Sequence, residues 1–315
     1  MGSVTFSDSH SSTSSGPPRR RFRVRAEWVE GYLFMAPWLI GFFIWTLGPM
    51  LFAAWLAFTS WELLTPIRWV GTANFAHLLG DDLFVKSLYN TAYFTFIAVP
   101  LQLVAALLVA LALNLKRRGV YVYRAAIYIP TITPYVVSVI LWVWIFNPDF
   151  GLVNALFRLV GLPPQLWLLD PQLVKPVFIF WSLWAIGNQM VIFLAGLQGV
   201  PESLLEAAMI DGATAWHRLR QITLPMISPV IFFNLVIGII GSFQVFTTAY
   251  LATNGGPNNA SLFYVLYLYQ NAFQFLRMGY ASALAWILFA IILVFTLLQF
   301  RMADRWVYYE GTSRE

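Results

Sequence analysis

Cysteine is absent from all 315 residues. Disulfides, thiolate metal sites and cysteine nucleophiles are therefore excluded. Histidine is scarce: His10, His77 and His217 are scattered and make no metal-ligand pattern. Charged residues make up only 10% of the chain, against about 25% in a soluble domain. No Gly-x-x-x-x-Gly-Lys-Ser/Thr occurs, so the chain lacks the phosphate-cradling loop of an ATP site.

Hydrocarbon is what is plentiful. Hydrophobic residues make up 59%, and the mean hydropathy is +0.69. This composition predicts an all-α polytopic membrane protein. Six runs long enough to cross, uncharged but for Arg124 near the start of the third, lie near Tyr32–Phe58, Leu88–Asn114, Val122–Phe146, Val177–Leu197, Ser228–Leu251 and Ser282–Phe300. Ser261–Phe273 is about half that length and reads as a short outer-surface helix. Residues 1–26 are Ser-, Gly- and Pro-rich and then basic, which predicts a disordered cytoplasmic tail. Residues 27–306 form the transmembrane body, and 307–315 a cytoplasmic C-terminal tail.

The span interiors hold no Asp, Glu, Lys, Arg or His. That argues against a proton relay. It also leaves a membrane-embedded enzyme without a nucleophile or metal set, so no catalytic residue and no metal ligand is expected. Backbone carbonyls can hold sodium, which keeps an ion-coupled secondary transporter of a neutral solute as the alternative. The net charge of +5 reads as a topology signal, with no nucleic-acid partner implied. Fourteen of the nineteen Lys and Arg residues fall on one side of the spans and five on the other. The positive-inside rule makes the richer side cytoplasmic, with both termini.

A polar island interrupts the second half. Pro176–Pro201 and Gln221–Leu276 carry no charge, and Glu206–Pro225 lies between them on the cytoplasmic side. Pro201 suits a helix start, with Glu202 and Glu206 near its positive end. Gly212 breaks that helix, Thr214 caps a second, and Pro225 turns the chain back toward the membrane. Helix, sharp turn, helix is the expected form of this loop, whose outer limits are 200–226.

The spacing here resembles a known family. Glu206-Ala207-Ala208, three residues, Gly212, nine residues and Ile222-x-Leu224-Pro225 match the EAA loop of permease subunits in binding-protein-dependent ABC importers. Asp211 sits inside the same motif. Tyr32–Trp38, Gly71-x-x-Asn74-Phe75, Gly151–Asn154, Leu194–Leu197 and Thr253–Pro257 resemble the carbohydrate branch. Thr253–Pro257 points to the first of two related permeases, as in maltose and glycerol-3-phosphate systems. The resemblance implies a type I importer transmembrane domain in a bacterial inner membrane. It implies a second homologous permease, two copies of a cytoplasmic ATPase that bind ATP and magnesium, and an extracytoplasmic solute-binding protein. No cofactor is expected in this chain itself. Glu206, Ala207, Ala208, Asp211, Gly212, Ile222, Leu224 and Pro225 would couple it to the ATPase.

An uncharged path suits a neutral or weakly charged solute. Sugars bind to aromatic faces, amides and hydroxyls. Trp181, Trp184, Asn188 and Gln189 in the fourth span, and Asn234, Ser242 and Gln244 in the fifth, are the candidate path residues. An amide in lipid is costly, so these should face protein or a cavity. Gly238 and Gly241 read as close-packing positions.

Overall fold

In hydrocarbon each backbone donor and acceptor must be paired within its own segment, so an oily chain folds as helices. The computed structural model describes residues 23–115 and 118–308, with side chains from residue 28 onward. The expected tails lie mostly outside the described residues. Two compact units divide the chain at Ala53. In the first, helix α1 (Arg23–Phe42) passes through a π-helical turn at Phe43–Leu47 into α2 (Gly48–Leu56). Trp28–Leu56 is long and apolar enough to cross a membrane. Helix α1 starts at Arg23, inside the tail drawn from sequence to residue 26. Arg23, Arg25 and Glu30 are ordinary helix formers, so nothing local stops the helix there.

The second unit starts with a small hairpin, in which β1 (Thr59–Ser60) pairs antiparallel with β2 (Arg68–Trp69). Short α3 (Ala73–Leu79) leads to α4 (Asp82–Leu113), which crosses alone. The next span is a bent pair, α5 (Val120–Ile132) and α6 (Tyr135–Ile145), at 97°. Pro134 explains the bend. It forces Thr133 into the extended region, at ψ 134°, and it lacks the donor that would continue α5. After α7 (Leu152–Leu159) comes a second bent pair at 49°. Here α8 (Val174–Ser182) tightens through a 3₁₀ turn at Leu183–Ala185 and resumes as α9 (Gly187–Gln198).

The polar island follows as α10 (Glu202–Ile210), α11 (Ala215–Arg218), a π-helical turn at Leu219–Thr223 and α12 (Leu224–Met226). Its second half meets α13 (Ser228–Phe243) at 64°. The expected fifth span to Leu251 breaks after Phe243 and resumes as α14 (Thr247–Ala252). Helix α15 (Tyr264–Tyr269) runs through a π turn at Gln270–Gln274, and α16 (Met278–Trp306) is the last crossing helix. One correction concerns Ser261–Phe273. It is helical from Tyr264, and its first part packs inside the protein, with Phe263, Tyr264 and Leu266 fully buried, while Phe273 at its end stays exposed. The Tyr264 backbone donates to Thr91 Oγ1 at 2.9 Å, and its hydroxyl to the Leu284 carbonyl at 2.8 Å.

Helix α4 is the hub, with α8, α9, α13 and α15 packed on it. Ala98, Ala106 and Ala110 are fully buried along it, and small residues are what let membrane helices approach closely. At the hairpin end, Ala106, Ala110, Met190, Phe193, Leu197 and Ile227 form one core. At the far end, Phe94, Val99, Phe178, Phe243, Phe263 and Leu284 belong to another. Val307 is buried, and the Tyr308 N–H donates to Ser228 Oγ at 2.8 Å. The C-terminal tail is therefore tied down through residue 308 before the described chain ends.

Candidate functional site

The polar island folds as a helical hairpin whose turn is written in its backbone. Gly212 is in the left-handed region at φ +78°, where a residue with a Cβ is strained. Two hydrogen bonds lock the turn: Gly212 N–H to Met209 O at 3.1 Å and Ala213 N–H to Ala208 O at 2.8 Å. This is the paired closure that ends a helix on glycine. Thr214 then caps α11, accepting from the His217 N–H at 3.3 Å. Pro225 cannot donate to the chain behind it. The helix responds by widening into the π turn, where the Leu224 N–H reaches Leu219 O.

The eight motif residues divide by exposure. Glu206, Ala207, Asp211 and Gly212 are exposed, and Ala208 is half-buried. Ile222, Leu224 and Pro225 are half-buried, and Leu224 packs on the core at the hairpin end. The tip carries unusual apolar exposure, with Ile210 at 87% and Trp216 at 66%. A rigid turn holds these side chains out, while the motif's last residues root the hairpin in the spans.

A cavity of ≈ 450 Å³ lies between α4, α5, α6, α8, α9, α13 and α14. Trp181, Trp184, Asn188 and Gln189 line one wall, and Asn234 and Ser242 another. Six of the seven candidate path residues thus converge on one space. Gln244 does not: it is exposed, past the end of α13. A step of two residues turns a helix by about 200°, so Gln244 leaves the face that Ser242 occupies. Asn234 also has a structural duty, donating to Val230 O at 3.0 Å. Gly238 packs on Val99, as a close-packing glycine should. Gly241 does not, since nothing lies within 4 Å of where its Cβ would stand. It opens onto the cavity.

Several polar lining residues escaped the sequence reading. Gln102 of α4 accepts from Gln189 Nε2 at 3.4 Å. Tyr135 and Thr248 pair their hydroxyls at 2.5 Å across the space between α6 and α14. Gln102 had a signal, as the one amide within the apolar run from Thr91 to Leu113. Tyr135 and Thr248 had none, because only the bend at Pro134 and the break after Phe243 bring them together. Behind the cavity, Trp142 packs on Trp181 and Trp184, with ring centroids 5.8 and 5.7 Å apart.

At the far end Asp81 caps α4, accepting from the Leu83 N–H at 3.0 Å and the Phe84 N–H at 3.3 Å. The Tyr267 and Tyr280 hydroxyls donate to its other oxygen. Burial pushes this carboxyl up, but the tyrosine and backbone hydrogen bonds outweigh it and hold it below the usual carboxylate range.

Residues 102–308 match the family described as the binding-protein-dependent transport system inner membrane component. The chain belongs to this family. It is thus a permease subunit of an ABC transport system, a membrane component and not the motor. A probable ABC transporter permease, YesP of Bacillus subtilis (strain 168), is 42% identical over 293 residues, covering 91% of this chain and 94% of the relative. The lactose transport system permease LacF of Rhizobium radiobacter is 33% identical over 282 residues, covering 87% and 94%. Among solved structures, a bacterial ABC transporter involved in import of the acidic polysaccharide alginate superposes with a TM-score of 0.80. It is 25% identical and covers 91% of this permease and 99% of that chain. The permease's bent spans and short helical hairpin are thus those of a type I importer transmembrane domain.

Proposed function

We propose that this permease carries a carbohydrate or carbohydrate-like solute across the bacterial inner membrane by alternating access. It receives the solute from an extracytoplasmic binding protein and pairs with a second, homologous permease. Two ATPase subunits bind ATP and magnesium and supply the energy; this chain supplies the path. Lactose and alginate, handled by similar proteins, are both carbohydrates. One observation carries the reading: two tryptophan faces and a set of amides and hydroxyls line the ≈ 450 Å³ cavity. Indole faces suit the C–H faces of a sugar ring, and amides and hydroxyls suit its hydroxyls.

The hairpin Glu206–Pro225 is the coupling element in this reading, with both termini on its cytoplasmic side. Its exposed apolar tip, Ile210 and Trp216, fits a cleft on the ATPase. Closure of the motor pushes the tip, and the rooted end at Leu224 passes the displacement to α13 and α9. The test uses the complex purified with its ATPase, second permease and binding protein. Solute-stimulated ATP hydrolysis is followed across a panel of sugars. A sugar is expected to stimulate, and Trp181→Ala to lower uptake of that sugar by about tenfold, the loss of one aromatic contact. Stimulation by amino acids or ions and by no sugar would overturn the carbohydrate reading.

A further inference from the structure

The expected fourth span began at Val177, which left Lys175 in a loop. In the structure α8 starts at Val174, and the Lys175 side chain turns in toward α4. Its Nζ donates to Asn90 Oδ1 at 3.0 Å and stands 5.0 Å from the ring centroids of both Tyr89 and Tyr93. Lys86, one turn before Asn90 on α4, adds a second positive charge that repels it. The Lys86 amine donates to the Asn258 carbonyl at 2.5 Å. Asn90 is itself fixed, donating to the Asn259 and Leu262 carbonyls at 2.9 and 3.1 Å. Both lysines are thus held in place by α4 and the 254–262 turn.

Among the described residues no carboxylate pairs with either lysine. An ammonium has three donors, and Lys175 uses one on the protein. Two tyrosine faces compensate only in part. Lys175 is half-buried and Lys86 is exposed beside it, and like charges held near one another favour a bound anion. The place lies one helical turn from two residues of the cavity wall. Phe178 and Phe94, which line it, follow Lys175 and Asn90 by about one helical turn each.

We propose that Lys175, with Lys86 beside it, is a recognition subsite for a carboxylate on the transported sugar, so that the solute class is acidic rather than neutral. This rests on the importer reading and narrows it. The bound carboxylate would accept the two unused Lys175 donors, beside the rings of half-buried Tyr93 and exposed Tyr89. Sugar rings would then extend toward Trp181, six residues on and about 9 Å along the axis of an ideal helix. An anionic lipid headgroup offers the same charge, and the test must tell the two apart.

The complete transporter is reconstituted with its binding protein, in vesicles of neutral lipid and again with phosphatidylglycerol added. Uptake is measured for a hexuronic acid disaccharide and for its carboxyl-reduced counterpart. The acidic sugar is expected to be the one carried. Lys175→Met should raise its half-saturating concentration about tenfold or more, the loss of a charged hydrogen-bonding partner. Lys175→Arg should restore most of it. Lys86→Gln, which leaves Asn90 untouched, should give a smaller rise in the same direction. Preference for the reduced sugar would overturn the acidic subsite and leave the importer standing. So would an equal loss for both sugars in Lys175→Met, which marks a structural prop, or an effect seen only with phosphatidylglycerol, which marks a lipid site. Uptake of neither sugar, with no stimulation by any other, would count against the carbohydrate reading itself.

Discussion

Gly241 shows how a single residue can separate path from packing. Nothing lies within 4 Å of its missing Cβ, yet it lines the cavity on α13. Gly241→Leu should therefore fill the path without forcing helices apart. Uptake is expected to fall by about tenfold or more while the complex still assembles, as read by size-exclusion chromatography and transport on one preparation. Assembly lost together with uptake would show that Gly241 packs against a neighbour after all. Asp81 makes a different statement. Its carboxyl is held below the ordinary value, so its stabilising effect is complete above the unfolded value of about 3.9. The effect is lost as pH falls through the lower, folded value. Thermal unfolding followed from about pH 6 down to 3 should show acid destabilisation in the native chain and a shallower fall in Asp81→Asn. Identical slopes would remove Asp81 from that account.

At the scale of elements, the hairpin is the part that sequence reads best. Its stops are local: glycine at the left-handed position, threonine at the cap, proline near the end of the motif. None of these depends on distant residues, and the structure places Gly212 (φ +78°) and Thr214 as expected, whereas the helix widens and runs on through Pro225, and the chain bends only after Met226. The bend at Pro134 has an equally local cause, although the sequence reading drew Val122–Phe146 as one run. The bend between α8 and α9 was not. A Cβ on Gly187 would stand 2.8 Å from the Ile127 carbonyl, so that bend reflects a close approach between helices distant in sequence. The same limit hid the burial of α15, whose length marked it as short but whose place under α4 and α16 is tertiary. It also hid Lys175, since uncharged runs mark where a span must be and not where its helix begins. The cavity wall was legible where one span carried it, as in Trp181, Trp184 and Asn188. It was illegible at Tyr135 and Thr248, which face each other across two backbone breaks. A test belongs to the hairpin as a unit. Gly212→Val puts a β-branched residue in the left-handed region, at a cost of about 1–2 kcal/mol. ATP hydrolysis is expected to continue while solute uptake falls several-fold, so that ATP consumed per solute carried rises. An unchanged ratio would detach the turn from coupling.

At the scale of the whole molecule, what this chain lacks bears on what moves it. It has no phosphate loop, and its span interiors have no Asp, Glu, Lys, Arg or His. It does have a rigid hairpin with an exposed apolar tip, joined through a bent junction to α13 and the cavity. On the function proposed above, force for transport comes from the ATPase subunits and enters through the hairpin. Solute uptake into vesicles carrying the reconstituted complex tests this most directly. ATP is placed on the hairpin side, and sodium and proton gradients are imposed or collapsed independently. The account requires uptake with ATP that is indifferent to uncouplers, and none with gradients alone. Uptake driven by an ion gradient with no nucleotide present would contradict it.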